Sequence, residues 1–528
     1  DNGSAAWNGY MDVAFGKLGF YTGEMSDRQI KKLAANPATE DFTVSNETPL
    51  TLTYPTQSLP NKYVTSYSDT NTSEWDYANT HDPAIFKDPK SNYYYAYSTD
   101  TNRGSTVTGG IHIRRSLDLI TWEYVNTAFR GNYPEAATSH VGKNSGNNYI
   151  FWAPDIIYLN NTYYLYYCMS QFGTANSYIG VATSSSPAGP FVHDDTHGGE
   201  IYKSTGNNPN EPNAIDPNVL YDNDGNLWCF YGSFFGGIYA IQLDTNTGLP
   251  LNGQGKGTQV AGGNHVAMEG PYVVMEGDYY YLFVSYGNLN SDYNVRVFRC
   301  PVSEGITGNY VDSQGYNAKV GASGNAITNS NYRLHGNKIL GGYKIGNNMG
   351  YRAPGHMSVL KDNGKYYMVS HTRTDNMPSY NFFISIRQMF FTDDGWCVLN
   401  QNEYIGESLQ MMNLANVAGT YDAVKTVTGT ATENYINFEN GMVENSNIAD
   451  AHETLSKSLT LNEDGTVTGE HGTGTWILTD DYKITITIGT DEYHGFVIAT
   501  KDLRGRNVIS FTTINQNGVY LFGNCIQA

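Results

Sequence analysis

Basic residues are scarce in this chain. Lys and Arg number 31 against 51 Asp and Glu, for a net charge of −20 over 528 residues. That balance excludes nucleic acid and anionic membrane as partners, because neither a phosphate backbone nor acidic lipid would be attracted. A neutral or cationic partner fits. Cysteine is also rare. The five (Cys168, Cys229, Cys300, Cys397, Cys525) are odd in number, lie far apart and sit in strand-like apolar runs. They read as buried thiols, not as a disulfide framework or a thiolate metal site. No apolar run is long enough to span a bilayer. No signal peptide is visible, and the chain starts at Asp1 without Met, as either removal of a leader or trimming would leave it.

What the chain has is aromatic residues and glycine: 43 Tyr, 13% aromatics in all, and 56 Gly. The aromatics fall in a phrase used five times. Pro83 leads DPAIFKDPKSNYYYAYS, Pro154 leads APDIIYLNNTYYLYYCMS, and Pro217 leads DPNVLYDNDGNLWCFYGS. Pro271 leads GPYVVMEGDYYYLFVSYG and Pro354 leads APGHMSVLKDNGKYYMVSHT. Each reads as an apolar strand, a turn containing Asn, Asp or Gly, and an aromatic strand. That is a hairpin buried on both faces. One such unit repeated five times predicts an all-β five-bladed β-propeller.

The length exceeds one ordinary core, so more than one domain is expected. Residues 1–75 form an N-terminal extension or linker rich in Thr, Ser, Asn and Pro. Within it Gly16 to Ala34 resembles the closing strand and helical turn of a laminin-G-type module. The propeller is expected over 76–410, with the long polar intervals 126–148 and 192–214 as loops that wall a groove and no helix in them. From 411 to 528 prolines vanish and short alternating strands follow one another across polar turns. This predicts a small antiparallel β-barrel accessory domain.

In a propeller the innermost strand of each blade starts beside the central channel. The residues next to the five prolines therefore converge: Asp82, Asp155, Asp216, Glu269 and His356. Asp before Pro is common at turns, but four carboxylates gathered at one place cost stability unless they are used. The chemistry that uses them is glycoside hydrolysis, in which one carboxyl stays protonated to feed the leaving oxygen and another stays ionised to activate water. Glu269, flanked by Ala267, Met268 and Gly270, is the acid candidate. Asp82 is the base, and Asp216 raises the pKa of the acid by its charge. Several other strings are set aside. GQGKG (253–257) lacks a strand–helix unit, DNDGN (222–226) is a hairpin turn, and HDDTHGGE (193–200) is a solvated loop.

The phrases HDPAI, FWAPDI, AIDPNV, EGPYV and APGHMSV, with QFGTANSYIGVATS (171–184) and YGSFFGGIYAIQL (231–243), resemble in this order the glycoside hydrolase family 43 arabinanases. The last domain resembles the module appended to the longer members. The resemblance implies inversion at the anomeric carbon, with Asp82 as base, Glu269 as acid and Asp216 as modulator. The acid and base would stand about 6.5–9.5 Å apart to admit a water. It implies that His81, Trp152, Asp155, Phe172, Asn176 and Ser177 bind the sugar. It implies that His356 helps hold a channel ion, usually calcium, largely through waters. The expected partner is arabinan, cut internally at α-1,5 bonds by a secreted monomer. An exo-acting arabinofuranosidase or xylosidase of the family is the alternative. A related retaining fructosidase would carry RDP and EC strings, which do not occur. A non-catalytic sugar-binding propeller would lack one of Asp82, Asp216 or Glu269.

Overall fold

Each repeated phrase opens an antiparallel sheet in the computed structural model, five-stranded in blade 2 and four-stranded in the other blades. The structure describes residues 48–60, 75–76, 78–103, 106–107, 109–193, 199–289, 292–321, 334–374, 382–426, 435–436, 443–444 and 455–527. The laminin-G-like stretch lies outside these residues. Blade 1 pairs Ala84–Lys87, Tyr94–Ser98, His112–Ser116 and Trp122–Thr127 in order. Blade 2 starts at Phe151–Leu159, blade 3 at Asn218–Tyr221, blade 4 at Met268–Glu276 and blade 5 at Tyr351–Asp362. The hairpin of blade 2 turns on Asn160 and Asn161, both at positive φ (50° and 63°). That suits the mirror-image turn that matches strand twist.

The strands are buried on both faces because each blade packs against two neighbours. Apolar clusters fill the ring in sequence. Tyr97 and Tyr167 lie between blades 1 and 2, Cys168 and Ile241 between 2 and 3, and Phe230 and Leu282 between 3 and 4. Phe283 and Met357 join blades 4 and 5, and Ile85 and Val369 join 5 and 1. Among the described residues no strand is exchanged between blades 1 and 5, although Ala78, ahead of blade 1, makes a single antiparallel bridge to Phe383 of blade 5. Side chains add to the closure. Ser358 Oγ accepts the Ile85 N–H (3.0 Å) and donates to Pro83 O (2.7 Å), and Lys87 Nζ meets Asp362 (2.6 Å).

Two loop expectations are corrected. Interval 126–148 contains a helix, Glu135–Val141, which buries Ala137 and Val141 and starts after Pro134. Proline is pre-set for a helix start and Glu suits its first turn. Interval 192–214 contains strands Val192–His193 and Glu200–Ser204, both paired with Ser177–Ser184. The last blade strand is Cys397–Leu399, and Gly419–Lys425 opens a closed eight-stranded barrel that ends at Tyr520–Ile526. Its interior is filled by Tyr421, Trp476, Ile486, Phe511 and their neighbours. Of the N-terminal extension, residues 48–60 lie on this barrel. Leu52 and Tyr54 pack against it, and the side-chain amides of Gln410 and Asn416 bond the backbone at Thr53 and Leu50.

Candidate active site

The inner strands do not enter the channel as regular strands. Register shifts interrupt the first pairing of blade 2 between Trp152 and Asp155, of blade 4 between Glu269 and Tyr272, and of blade 5 around Gly355. Asp82, Asp216 and His356 hold positive φ (51°, 60° and 42°), as does Gly270 (60°). A non-glycine residue there carries strain, and such strain gathers at functional sites. The extra residue re-aims a side chain that would otherwise follow the pleat.

These turns bring Asp82, Asp216, Glu269 and His356 together from four blades. Asp82 is almost enclosed. Its Oδ2 accepts from Thr99 Oγ1 (2.6 Å) and lies 2.8 Å from His81 Nδ1, while Oδ1 lies 3.2 Å from His356 Nδ1 and 3.4 Å from His371 Nδ1. Burial pushes the Asp82 carboxyl up, but His356, His81 and His371 around it hold it well below the usual carboxylate range. Hydrogen bonds to the charged form act the same way. Glu269 sits between Ser233 Oγ (2.9 Å, to Oε2) and Tyr293 Oη (2.8 Å, to Oε1). Burial raises its pKa against those two donors, and the Asp82 charge raises it further. Asp216 has one donor, the Gly270 N–H at 3.1 Å. Burial, then the charges of Glu269 and Asp82, push it well above the ordinary value. The three carboxyls are thus pushed in opposite directions, Asp82 down and the neighbouring Glu269 and Asp216 up. Titration of such a pair belongs to both members.

The other expected site residues divide differently. His81 is half-buried and stacks on the His371 ring (4.1 Å, 14°) beside Asp82. Phe172 stands on the surface, 86% exposed, with no apolar cover. Trp152 is partly buried against the cluster between blades 2 and 3. Asn176 is half-buried and reaches His140 O at 3.5 Å. Asp155 and Ser177, also expected to bind sugar, are engaged inside the protein. The Asp155 carboxylate accepts the Val219 N–H (2.6 Å) and the Asn218 amide (3.0 Å), clamping blade 2 to blade 3. Ser177 is fully buried and bonds Ser170 (2.7 Å) and Asn213 (2.6 Å), which holds the segment leading to Asp216. Polar groups in such places satisfy the backbone and each other.

Sequence reading missed Thr99, Ser233, Tyr293 and His371. Three of them had a signal. The aromatic run of every repeat carries a serine within it or just after it (Ser98, Ser170, Ser233, Ser285, Ser370), and Thr99 and His371 follow the first and last. Tyr293 stands before its strand with no motif around it.

Among the described residues the ligand atoms of His81, Asp82 and His371 lie within 4.8 Å of one another. His371 Nδ1 lies 3.2 Å from the Asp82 backbone nitrogen and 3.4 Å from Asp82 Oδ1, so that nitrogen is spent on Asp82, and its buried Nε2 has no hydrogen-bond partner among the described residues. A proton on the Nδ1 of His356 makes its contact with Asp82 attractive and leaves a lone pair on Nε2. One imidazole lone pair beside a carboxylate suits a hard cation held mainly through water oxygens.

This arrangement agrees with what the chain is similar to. Residues 77–397 match the glycosyl hydrolases family 43, and residues 401–523 match the C-terminal lipocalin-like domain that accompanies it. The chain belongs to glycosyl hydrolase family 43. An extracellular endo-α-(1→5)-L-arabinanase of Thermotoga petrophila is 36% identical over 380 residues, which is 66% of this chain and 76% of that protein. A second of that description, from Bacillus subtilis, is 30% identical over 475 residues, covering 84% and 92%. The crystal structure of an endo-1,5-α-L-arabinanase from Thermotoga petrophila superposes with a TM-score of 0.71 at 30% identity, over 88% of this chain and all of that one. As a member of the family the protein is a glycoside hydrolase, with a five-bladed propeller and an eight-stranded barrel.

Proposed function

We propose that this protein is an inverting endo-1,5-α-L-arabinanase that acts outside the cell on arabinan and arabino-oligosaccharides. One observation supports the assignment of roles: three carboxyls from three blades have surroundings that hold Asp82 below the ordinary carboxylate range and push Glu269 and Asp216 above it. Asp82, ionised among histidines, activates water. Glu269, held protonated by burial and neighbouring charge, delivers a proton to the glycosidic oxygen. Asp216, whose own pKa is raised by burial and by the Glu269 and Asp82 charges, is the modulator that titrates together with the acid. Two carboxyls in opposite states are what inversion needs. The relatives named above carry the endo-arabinanase description and the word extracellular, which supports substrate and location. A channel cation, calcium by chemical class, would sit by His356 and its waters and supply a fixed positive charge near Asp82. The chain is expected to work as a monomer.

The test is the size of early products from linear debranched arabinan, read by chromatography. A ladder of mixed oligosaccharides is the expected result. Arabinose alone, or one fixed short product, would instead make the enzyme exo-acting, with one end of the groove closed.

A further inference from the structure

Glu269 and Asp82 are joined by a column of rings. The rings of Tyr293 and His371 are parallel (3°) at 5.7 Å, and His371 stacks in turn on His81 at 4.1 Å. Phe382 closes the edge of both imidazoles (4.4 and 4.8 Å). One end of the column bonds Glu269 through the Tyr293 hydroxyl. The other holds Asp82 through His81 Nδ1 and, by its backbone N–H, through His371. The close approach needs a glycine on blade 5, since a Cβ at Gly355 would collide with the Tyr293 ring.

We propose that Tyr293 is a positioning residue for the general acid, fixing which oxygen of Glu269 carries the proton. This rests on the hydrolase reading of the same site. Burial, then the charges of Glu269 and its neighbours, pushes the Tyr293 phenol well above its usual range, so it remains a donor. A hydroxyl donating to Oε1 leaves the acid proton on Oε2, beside the rotatable Ser233 hydroxyl. In the reaction the proton on Oε2 passes to the glycosidic oxygen as the C–O bond breaks. Water attacks the anomeric carbon from the opposite face and gives its proton to Asp82. The column holds Oε2 toward the bond that breaks. A carboxyl free to rotate would present its proton there only part of the time.

Tyr293→Phe keeps the stack and removes the hydroxyl. Its kcat should fall roughly 10- to 100-fold on arabinan, whose leaving alkoxide needs a proton, with KM unchanged. On a dinitrophenyl glycoside of arabinotriose, whose leaving group needs none, the same variant should stay within about twofold of wild type. Activity there also shows that the site is folded. Gly355→Ala, which displaces the ring, should lower kcat on arabinan in the same selective way. Equal loss on both substrates, or no loss on arabinan, would overturn the proposal. Wild-type protein inactive on both substrates would overturn the arabinanase reading and this inference with it.

Discussion

At the scale of the residue, the site works by giving similar carboxyls dissimilar surroundings. Glu269→Ala removes the proton donor and leaves the binding surface, so arabinan cleavage should fall by about 10²–10⁴. Binding of arabino-oligosaccharides should persist in calorimetry, and retained cleavage would refute Glu269 as the acid. Outside the site, burial alone pushes Asp100, Asp155 and Glu407 each up to about 7. An unfolded carboxyl titrates near 4. Between those values the folded state binds more protons than the unfolded one. The stability these groups contribute is therefore full below about pH 4 and lost as pH rises through 7. The melting temperature should fall from pH 5 to pH 7.5. Asp155→Asn, which keeps an acceptor for the Val219 N–H, should make that fall shallower. An unchanged slope in a scanning-fluorimetry series would show that Asp155 does not titrate in this window.

At the scale of the element, the repeated phrase carried most of what could be read. A proline, an apolar run, a polar turn and an aromatic run specify an inner hairpin, and five copies specify the ring. Asp82, Asp216, Glu269 and His356 could be placed together because each stands within two residues of the proline that opens its phrase. Asp155 stands there too, but it follows its proline where Asp82 and Asp216 precede theirs, and its carboxylate faces the next blade. What it meets there depends on where the bulge falls and on the Val219 N–H across the gap. Helix Glu135–Val141 escaped notice since its seven residues bury only one edge and show little periodicity. Ring closure was equally invisible, as it depends on Ser358, the Lys87–Asp362 pair and a single bridge from Ala78 to Phe383 rather than on an exchanged strand. Ser358→Ala would leave the Ile85 N–H and the Pro83 carbonyl unmet in a buried seam. The expected loss is about 1–3 kcal/mol, read as a lower urea midpoint. Because Pro83 follows Asp82, kcat should fall as well. An unchanged midpoint would mean that the apolar cluster of Ile85, Leu360 and Val369 closes the ring without help.

At the scale of the whole molecule, the barrel is built into the catalytic domain. The composition change near residue 411 was read as the start of a second unit, whose first barrel strand is Gly419–Lys425, but no pattern told how it would sit. In the structure the apolar cluster between blades 4 and 5 continues into the barrel through Phe496, Ile498, Ile514, Tyr520 and Phe522. Phe390 stacks on Phe496 at 4.9 Å, and Tyr343 meets Phe522 edge-on at 5.0 Å. Asn402 and Asn524 exchange two hydrogen bonds of 2.9 Å at the same buried seam, and Tyr520 Oη donates to Cys397 O (3.1 Å). Five large side chains withdrawn from water are worth on the order of 10 kcal/mol, as much as the net stability of a typical domain. A chain ending at Met412 would expose the outer faces of Phe390, Val398 and Leu399 together with the unpaired Asn402. It should be insoluble, or melt well below the full-length enzyme, and lose cleavage of arabinan and of small substrates alike. The full chain should unfold in one transition, since neither part keeps its surface covered without the other. A soluble truncated protein with full activity would show that the barrel only accompanies the propeller, and two separate calorimetric transitions would show the seam to be weaker than its contacts imply.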